Sequence, residues 1–266
     1  MKKIGFIGAG NMATAIVNGL ISQQNGKADF INVFDVSSEK CDIIAKLGVN
    51  ICKTGEDVVK SSDIIVLAVK PQNYPEVLES LKSAVSLQKT FVSIAAGISI
   101  DFVQRGLDCK CPVVRVMPNT PLLLKKGASA LCTSDNISDE DKQTVYDMFA
   151  GSGVCEFITE EHMNEIISVN GSSPAYIYLF AKAMADYAKS KGIDYDKAMN
   201  LVCATLEGSA AMLRESGDSA DVLIEKVSSK GGTTIAALDK LREHGFVEAV
   251  QDAMEACTKR AEELGK

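Results

Sequence analysis

Gly8-Ala9-Gly10-Asn11-Met12-Ala13 follows the apolar run Ile4 to Ile7 and opens the amphipathic stretch Met12 to Gln23. Strand, glycine turn and helix, in that order, is the setting in which a GxGxxA pattern receives a dinucleotide. The reasons are steric and electrostatic. Gly8 allows the sharp turn, Gly10 has no side chain to keep the pyrophosphate away, and Ala13 lets the helix pack closely on its strand. The free amides of the helix start then face the phosphates. Ile7, Gly8, Ala9, Gly10, Asn11 and Met12 are therefore the candidate pyrophosphate residues.

A second apolar run, Phe30 to Phe34, leads into Asp35. A carboxylate at that place accepts hydrogen bonds from an adenosine ribose, which favours NADH, because the 2′-phosphate of NADPH would meet like charge. Ser37 and Ser38 offer hydroxyls to such a phosphate, and an Asp at a strand end is also a common turn residue. Both cofactors stay open. The runs Ile64 to Val69 and Phe91 to Ile94 lead into Lys70-Pro71 and Ala95-Ala96-Gly97. Both ends fall at the carboxyl edge of a parallel sheet, where small residues let a nicotinamide or ribose approach backbone. Met117-Pro118-Asn119-Thr120-Pro121 shapes the rim of the same cleft.

Ser228-Ser229-Lys230-Gly231-Gly232-Thr233-Thr234 precedes a further helical pattern, Ile235, Leu238 and Leu241. It is a second receiver for a negative group, suited to a small carboxylate. Helix capping by Thr233 or Thr234 is the plainer alternative. Gly171-Ser172-Ser173-Pro174 interrupts another helical run and frees backbone groups that solvent or a ligand must satisfy.

The elements that carry these residues alternate at first. Strand-like runs at Lys3 to Ile7, Phe30 to Phe34, Ile64 to Val69, Phe91 to Ile94, Val113 to Met117 and Ala128 to Cys132 are separated by helical patterns. That order predicts a parallel, doubly wound sheet of Rossmann type. Beyond about residue 160 the strand signal stops and amphipathic helices follow. The expected fold is α/β plus all-α: a dinucleotide-binding domain over 1–160, then a helical domain over 161–266 that builds a subunit interface.

The 266 residues carry a formal charge of −7, which argues against nucleic acid as a partner. An apolar content of 46% is ample for a core. Met1-Lys2-Lys3 before an apolar run imitates a signal peptide, but Gly5, Gly8 and Gly10 break it, so a soluble cytoplasmic protein with no membrane partner is expected. The eight cysteines lack zinc spacing, and no metal site or catalytic thiol is expected.

Taken together, Gly5 to Met12, Ala68-Val69-Lys70-Pro71-Gln72, Arg115 to Pro121, Gly171 to Tyr176 and Gly231 to Leu238 resemble, in order, the motifs of pyrroline-5-carboxylate reductases. The resemblance covers essentially the whole chain. It implies the last step of proline synthesis, hydride transfer from NADPH or NADH to the C=N bond of 1-pyrroline-5-carboxylate, giving L-proline. It implies that Ile7 to Met12 hold the pyrophosphate, that Asp35 and Ser37 face the adenosine side, and that Ala68, Val69, Lys70 and Pro71 with Ala95, Ala96 and Gly97 line the ribose and nicotinamide. Gly231, Gly232, Thr233 and Thr234 would hold the substrate, with the Thr234 hydroxyl on the ring nitrogen as the catalytic group and Glu160 near the pocket. It further implies homodimers through the helical half, assembling to a decamer, in which Thr234 completes a neighbour's site. Three residues depart from the family pattern: Ser173 for a Gly, Lys230 for a Pro and Asn164 for an Asp.

Only two histidines occur, His162 and His244, and both read as surface residues. Positioning and electrostatics must then carry the chemistry. Reduction of another imine or a 2-hydroxy acid is the nearest rival, with Lys182 as its one candidate base, and a cofactor-binding sensor without turnover is the other.

Overall fold

The computed structural model of the chain describes residues 2–265. It forms two compact units, one holding residues up to Pro174 together with those from Glu255 onward, the other Ala175–Met254.

The first unit is built on a sheet whose strands Ile4–Ile7 and Ile64–Leu67 are apolar along their whole length, as burial on both faces requires. In chain order they and their helices are β1 Ile4–Ile7, α1 Asn11–Gln23, β2 Ile31–Phe34, α2 Ser38–Ala45, β3 Asn50–Ile51, α3 Gly55–Ser61, β4 Ile64–Leu67, α4 Tyr74–Leu81, β5 Thr90–Ser93 and α5 Ile100–Gly106. There follow β6 Val113–Met117, β7 Gly127–Thr133, α6 Asp139–Ala150 and β8 Gly153–Phe157. The sheet order is β3-β2-β1-β4-β5-β6-β7-β8. The chain leaves β1 toward β2 and β3, then crosses back to β4, so the switch of direction lies between β1 and β4. One face carries the core around Phe6, Ile16, Val66 and Phe149. The other carries Ile7, Leu67, Tyr74, Phe91 and Val103.

The all-parallel expectation needs correcting. β7 runs antiparallel to β6, and β8 pairs parallel to β7. Only residues 118–126 join β6 to β7, and a parallel pair needs a crossover of a dozen residues or more. The sequence reading also passed over β3, with two residues, and β8, in which Glu156 interrupts the apolar pattern.

The helices after β8 are α7 Ser173–Ser190, α8 Tyr195–Glu215, α9 Ala220–Lys226, α10 Thr233–Glu243 and α11 Phe246–Leu264. A π-helical turn, Ile167–Gly171, precedes α7 where the sequence showed a break. Such turns recur at functional sites. The expected helical half is thus shared between the units, since 161–174 and the last turns of α11 belong with the sheet. Within the helical unit, Ala181 and Ala185 are buried and Phe180 stacks obliquely on Phe246 with ring centroids 6.3 Å apart. Along α7, Tyr178, Leu179 and Tyr187 stand in solvent, Leu179 with 70% of its surface exposed.

Candidate active site

The Gly8 turn is fastened by the tips of the strands beside it. Gly8 N donates to Phe34 O at 2.8 Å, and Ala68 N donates to Ile7 O at 2.8 Å. Gly8 has φ +103°, and a methyl group there would lie 2.5 Å from the Ala68 carbonyl oxygen. Only glycine meets both conditions. Gly10 differs. Among the described residues no heavy atom lies within 4 Å of where its Cβ would be, so its missing side chain serves nothing in the chain's own packing. It is the N-cap of α1, whose first amides take no side-chain cap. Beside it lies a cleft of about 260 Å³ lined by Ala9, Gly10, Asn11, Thr14, Lys40, Ile43 and Leu123. A cradle emptied of side chain, with free amides at its floor and a lysine at its wall, fits a dinucleotide phosphate.

Asp35 is drawn into the same turn. One of its oxygens accepts from Ala9 N at 2.8 Å and the other from Ser37 N at 2.8 Å. With only 8% of its side chain exposed and Lys40 Nζ at 3.7 Å, its charge is offset by the chain itself. The like-charge reason for preferring NADH therefore loses its force. Ser37 is the N-cap of α2, its hydroxyl accepting from Lys40 N at 3.4 Å. Lys40 escaped the sequence reading. The signal was present, a lysine in the first turn of the helix that follows the adenosine-side carboxylate.

At the carboxyl ends of β4 and β5, Tyr74 is fully buried, and its hydroxyl donates to Leu67 O at 2.9 Å with Ser93 Oγ 3.0 Å away. Burial holds this phenol well above the usual tyrosine range, so it stays protonated and ties the two strand tips together. Ala68, Val69 and Pro71 are half-buried beside them, Lys70 is exposed and Ala95 is buried. Gly97 has φ +81° and is closed over by chain, because a methyl there would lie 2.2 Å from Ala261 O. The close approach read as room for a ligand is, at Gly97, the approach of a helix.

Glu160 accepts from Ile100 N at 2.7 Å through Oε1, and Arg115 Nη1 lies 4.0 Å from the same oxygen. Arg115 is a lone cation in the apolar strand β6, 4% exposed, donating to Asn164 Oδ1 at 2.6 Å. Burial lowers its affinity for the proton, and nearby carboxylates oppose the shift. An arginine inside a strand of valines announces a buried partner, a signal the sequence carried and the reading passed over. Cys132, paired with Arg115 across the sheet, has its thiol pushed up to about 12 by burial, and Cys111 likewise. Thiols so shifted stay protonated and unreactive near neutral pH.

In the helical unit, Gly232 is the N-cap of α10 without a side-chain cap, and Thr233 is its first residue. Neither threonine caps the helix, contrary to the plainer alternative. Ser228 Oγ is buried and, among the described residues, has no hydrogen-bond partner. Lys182 pairs with Asp186 on the exposed face of α7, which removes it as a free base. His162 is largely exposed beside Glu161, and His244 ends α10. The structure thus gathers Ile7 to Met12, Asp35, Ser37, Ala68 to Pro71, Ala95 to Gly97 and Glu160 in the sheet unit, and Gly231 to Thr234 in the helical unit.

Residues 160–264 match the family model for pyrroline-5-carboxylate reductase dimerisation, and residues 3–97 match NADP oxidoreductase coenzyme F420-dependent. The pyrroline-5-carboxylate reductase of Escherichia coli is 37% identical over 266 residues, covering 100% of this chain and 99% of its own. That of Pasteurella multocida is 39% identical over 271 residues, covering 100% and 98%. The chain belongs to the pyrroline-5-carboxylate reductase family. Among solved structures, the Plasmodium falciparum pyrroline carboxylate reductase with NADP bound superposes with a TM-score of 0.89 at 30% identity, covering 100% of this chain and 98% of that one. Against this reductase family the exposed Tyr178, Leu179 and Tyr187 of α7 gain a meaning, since they lie in the dimerisation segment and support homo-oligomerisation. Among the described residues no helix is long and apolar enough to cross a membrane.

Proposed function

We infer that this chain is an NAD(P)H-dependent pyrroline-5-carboxylate reductase, forming L-proline from the cyclic imine. The observation that carries the reading is the start of α10: an uncapped helix N-terminus behind two glycines, with the Ser228 hydroxyl buried and unpartnered beside it, inside the segment matched by the reductase family. A small carboxylate completes that arrangement, accepting from the free amides and offsetting the helix dipole.

The nicotinamide, when bound, supplies the hydride. The chain's own residues do the rest. Ile7 to Met12 seat the pyrophosphate, Asp35 and Ser37 shape the adenosine side, and Ala68 to Pro71 with Ala95 and Ala96 line the path to the ring. Gly231, Gly232 and Thr233 offer amides to the substrate carboxylate, and Glu160 is a further substrate-binding candidate. An imine carbon accepts hydride most readily when its nitrogen is protonated. A threonine hydroxyl is too weak an acid to impose that proton, so Thr234 orients the nitrogen and helps deliver the proton by hydrogen bonding. We propose further that 1–160 and 161–266 act as cofactor and dimerisation domains, that the dimers assemble to a decamer, and that the enzyme works in the cytoplasm.

Steady-state oxidation of NADPH and of NADH on adding 1-pyrroline-5-carboxylate tests the reaction. Thr234→Ala is expected to lower kcat/KM by a factor on the order of a hundred, the range lost with one positioned proton-transfer group. Full activity in that variant excludes the role given to Thr234, and no turnover by the unaltered protein excludes the reaction.

A further inference from the structure

We propose that the turn Ala95-Ala96-Gly97 is held in place from two sides by groups that touch neither cofactor nor substrate through the contacts in question: the small-residue face Cys257, Ala261 and Gly265 on one side, and a Glu160 carboxylate steered by Arg115 on the other. The proposal rests on the reading of this turn as the seat of the nicotinamide end.

Cys257 and Ala261 are four residues apart on one face at the end of α11, and Gly265, just past the helix, continues their spacing. Gly97 meets that face backbone to backbone. A methyl group on Gly97 would lie 2.2 Å from Ala261 O, and one on Gly265 would lie 2.2 Å from Gly97 O. Cys257 Sγ donates to Ser172 Oγ at 3.3 Å, which fixes the helix one turn earlier. The face carries no bulk, so the helix backbone itself forms the wall behind the turn. With φ +81° at Gly97, the backbone takes a conformation that glycine reaches freely and that lets the two backbones meet without a side chain between them.

The second hold lies three residues further on. Ile100 N, at the start of α5, donates to Glu160 Oε1 at 2.7 Å. The carboxylate is 40% exposed and on its own would sample several rotamers. Arg115 restricts it, since its guanidinium is buried in the sheet, 4.0 Å from the same oxygen, and anchored at 2.6 Å on Asn164. Asn164 is neutral, and of the two carboxylates that act on Arg115, Glu160 and Glu165, Glu160 acts more strongly and lies 4.0 Å away, so the charge of Arg115 bears chiefly on the group that holds the turn. Arg115 and the end of α11 are therefore positioning groups, and the Ile100 contact gives Glu160 the same role. Their effect falls on the ring end of the cofactor and spares the adenosine end, which Gly8, Asp35 and Ser37 fasten separately.

Two ligands separate these ends. NADPH carries the nicotinamide, whereas 2′,5′-ADP carries only the adenosine end and its 2′-phosphate; NADH and ADP form the matching pair. The full-length protein is titrated with both members of the pair it binds more tightly, without the imine. Gly265→Ala places a methyl against Gly97 O, Glu160→Ala removes the acceptor for Ile100 N, and Glu160→Gln keeps that acceptor but not the charge. The first two are expected to weaken the dinucleotide on the order of tenfold while the nucleotide changes by less than about twofold, with Glu160→Gln between them. An equal loss of both ligands, or an unchanged affinity for the dinucleotide, overturns the proposal. The titration contains no substrate, so failure of pyrroline-5-carboxylate turnover counts against the functional reading alone.

Discussion

Phe6, Phe91 and Tyr74 are wholly buried in the sheet unit, while Tyr178, Leu179 and Tyr187 of α7 in the helical unit face solvent. Both units are rich in large apolar side chains, but they dispose of them differently. The sheet unit has two faces and covers each with helices of its own, so its core closes within one chain. The helical unit buries chiefly alanines, Ala181, Ala185 and Ala198 among them, and leaves its large side chains outside. An apolar face of that kind is finished by a second copy, in keeping with the dimerisation segment it lies in.

The largest effect should come from charging the open face. Leu179→Glu would bury an unpaired carboxylate at the subunit contact and is expected to weaken self-association on the order of a hundredfold or more, with loss of turnover but retention of NADPH binding. Sedimentation and cofactor titration measure the two halves of that statement. An unchanged oligomer would break the contrast between the units. A smaller effect is expected in the sheet unit, where Lys40 lies on the wall of the cleft beside the α2 start. Lys40→Ala should raise KM for NADPH about fivefold and leave KM for NADH unchanged, because a cation there serves the 2′-phosphate. Equal changes for both cofactors would remove Lys40 from that task.

The smallest concerns the amino-terminal end of the inner strands, opposite the Gly8 turn. Lys2 Nζ lies 2.8 Å from Asp141, whose other oxygen accepts from the Thr90 hydroxyl at 2.6 Å. That bond raises the Lys2 pKa, and burial opposes it. A group whose pKa is raised by folding stabilises the fold fully below its unfolded value and loses that contribution as pH climbs through the folded one. Lys2→Ala should therefore cost about 1 kcal/mol at neutral pH, and the difference from the unaltered protein should fade in thermal melts above the ordinary lysine range. A difference constant with pH would show that packing, not charge, ties this end.

Much of this was legible in residues and spacing. The Gly8 turn follows from sterics alone, and the helical half from its periodicity. What escaped was set by contacts that no local pattern records. Asp35 reads from sequence as a ribose acceptor, but its two oxygens are claimed by the amides of Ala9 and Ser37, one of them 26 residues away. Gly97 reads as space for a ligand, and the space is filled by Ala261 from the other end of the chain. The reversal of β7 was readable from its short connection, and the alternation of apolar runs drew attention from it. Thr233 and Thr234 read from sequence as caps or as ligand groups, but sequence cannot tell a cap from the residue after it, and the structure makes Gly232 the cap.

The π-helical turn before α7 has a consequence for how the protein ages. Asn170 donates through Nδ2 to Met117 O at 2.8 Å and Ala128 O at 2.9 Å, and its backbone carbonyl accepts from Asn119 Nδ2 at 3.1 Å. It is followed by Gly171, the neighbour that most readily attacks an asparagine side chain and releases ammonia. That attack needs the amide group to swing free, and here two carbonyls hold it. Were it to occur, a carboxylate would replace two donors and face two acceptors, with the repulsion placed against β6 and β7. The same bonds that seat the turn thus hold the Asn170 amide away from the geometry this slow damage requires, which the exposed Asn25-Gly26 pair after α1 does not share.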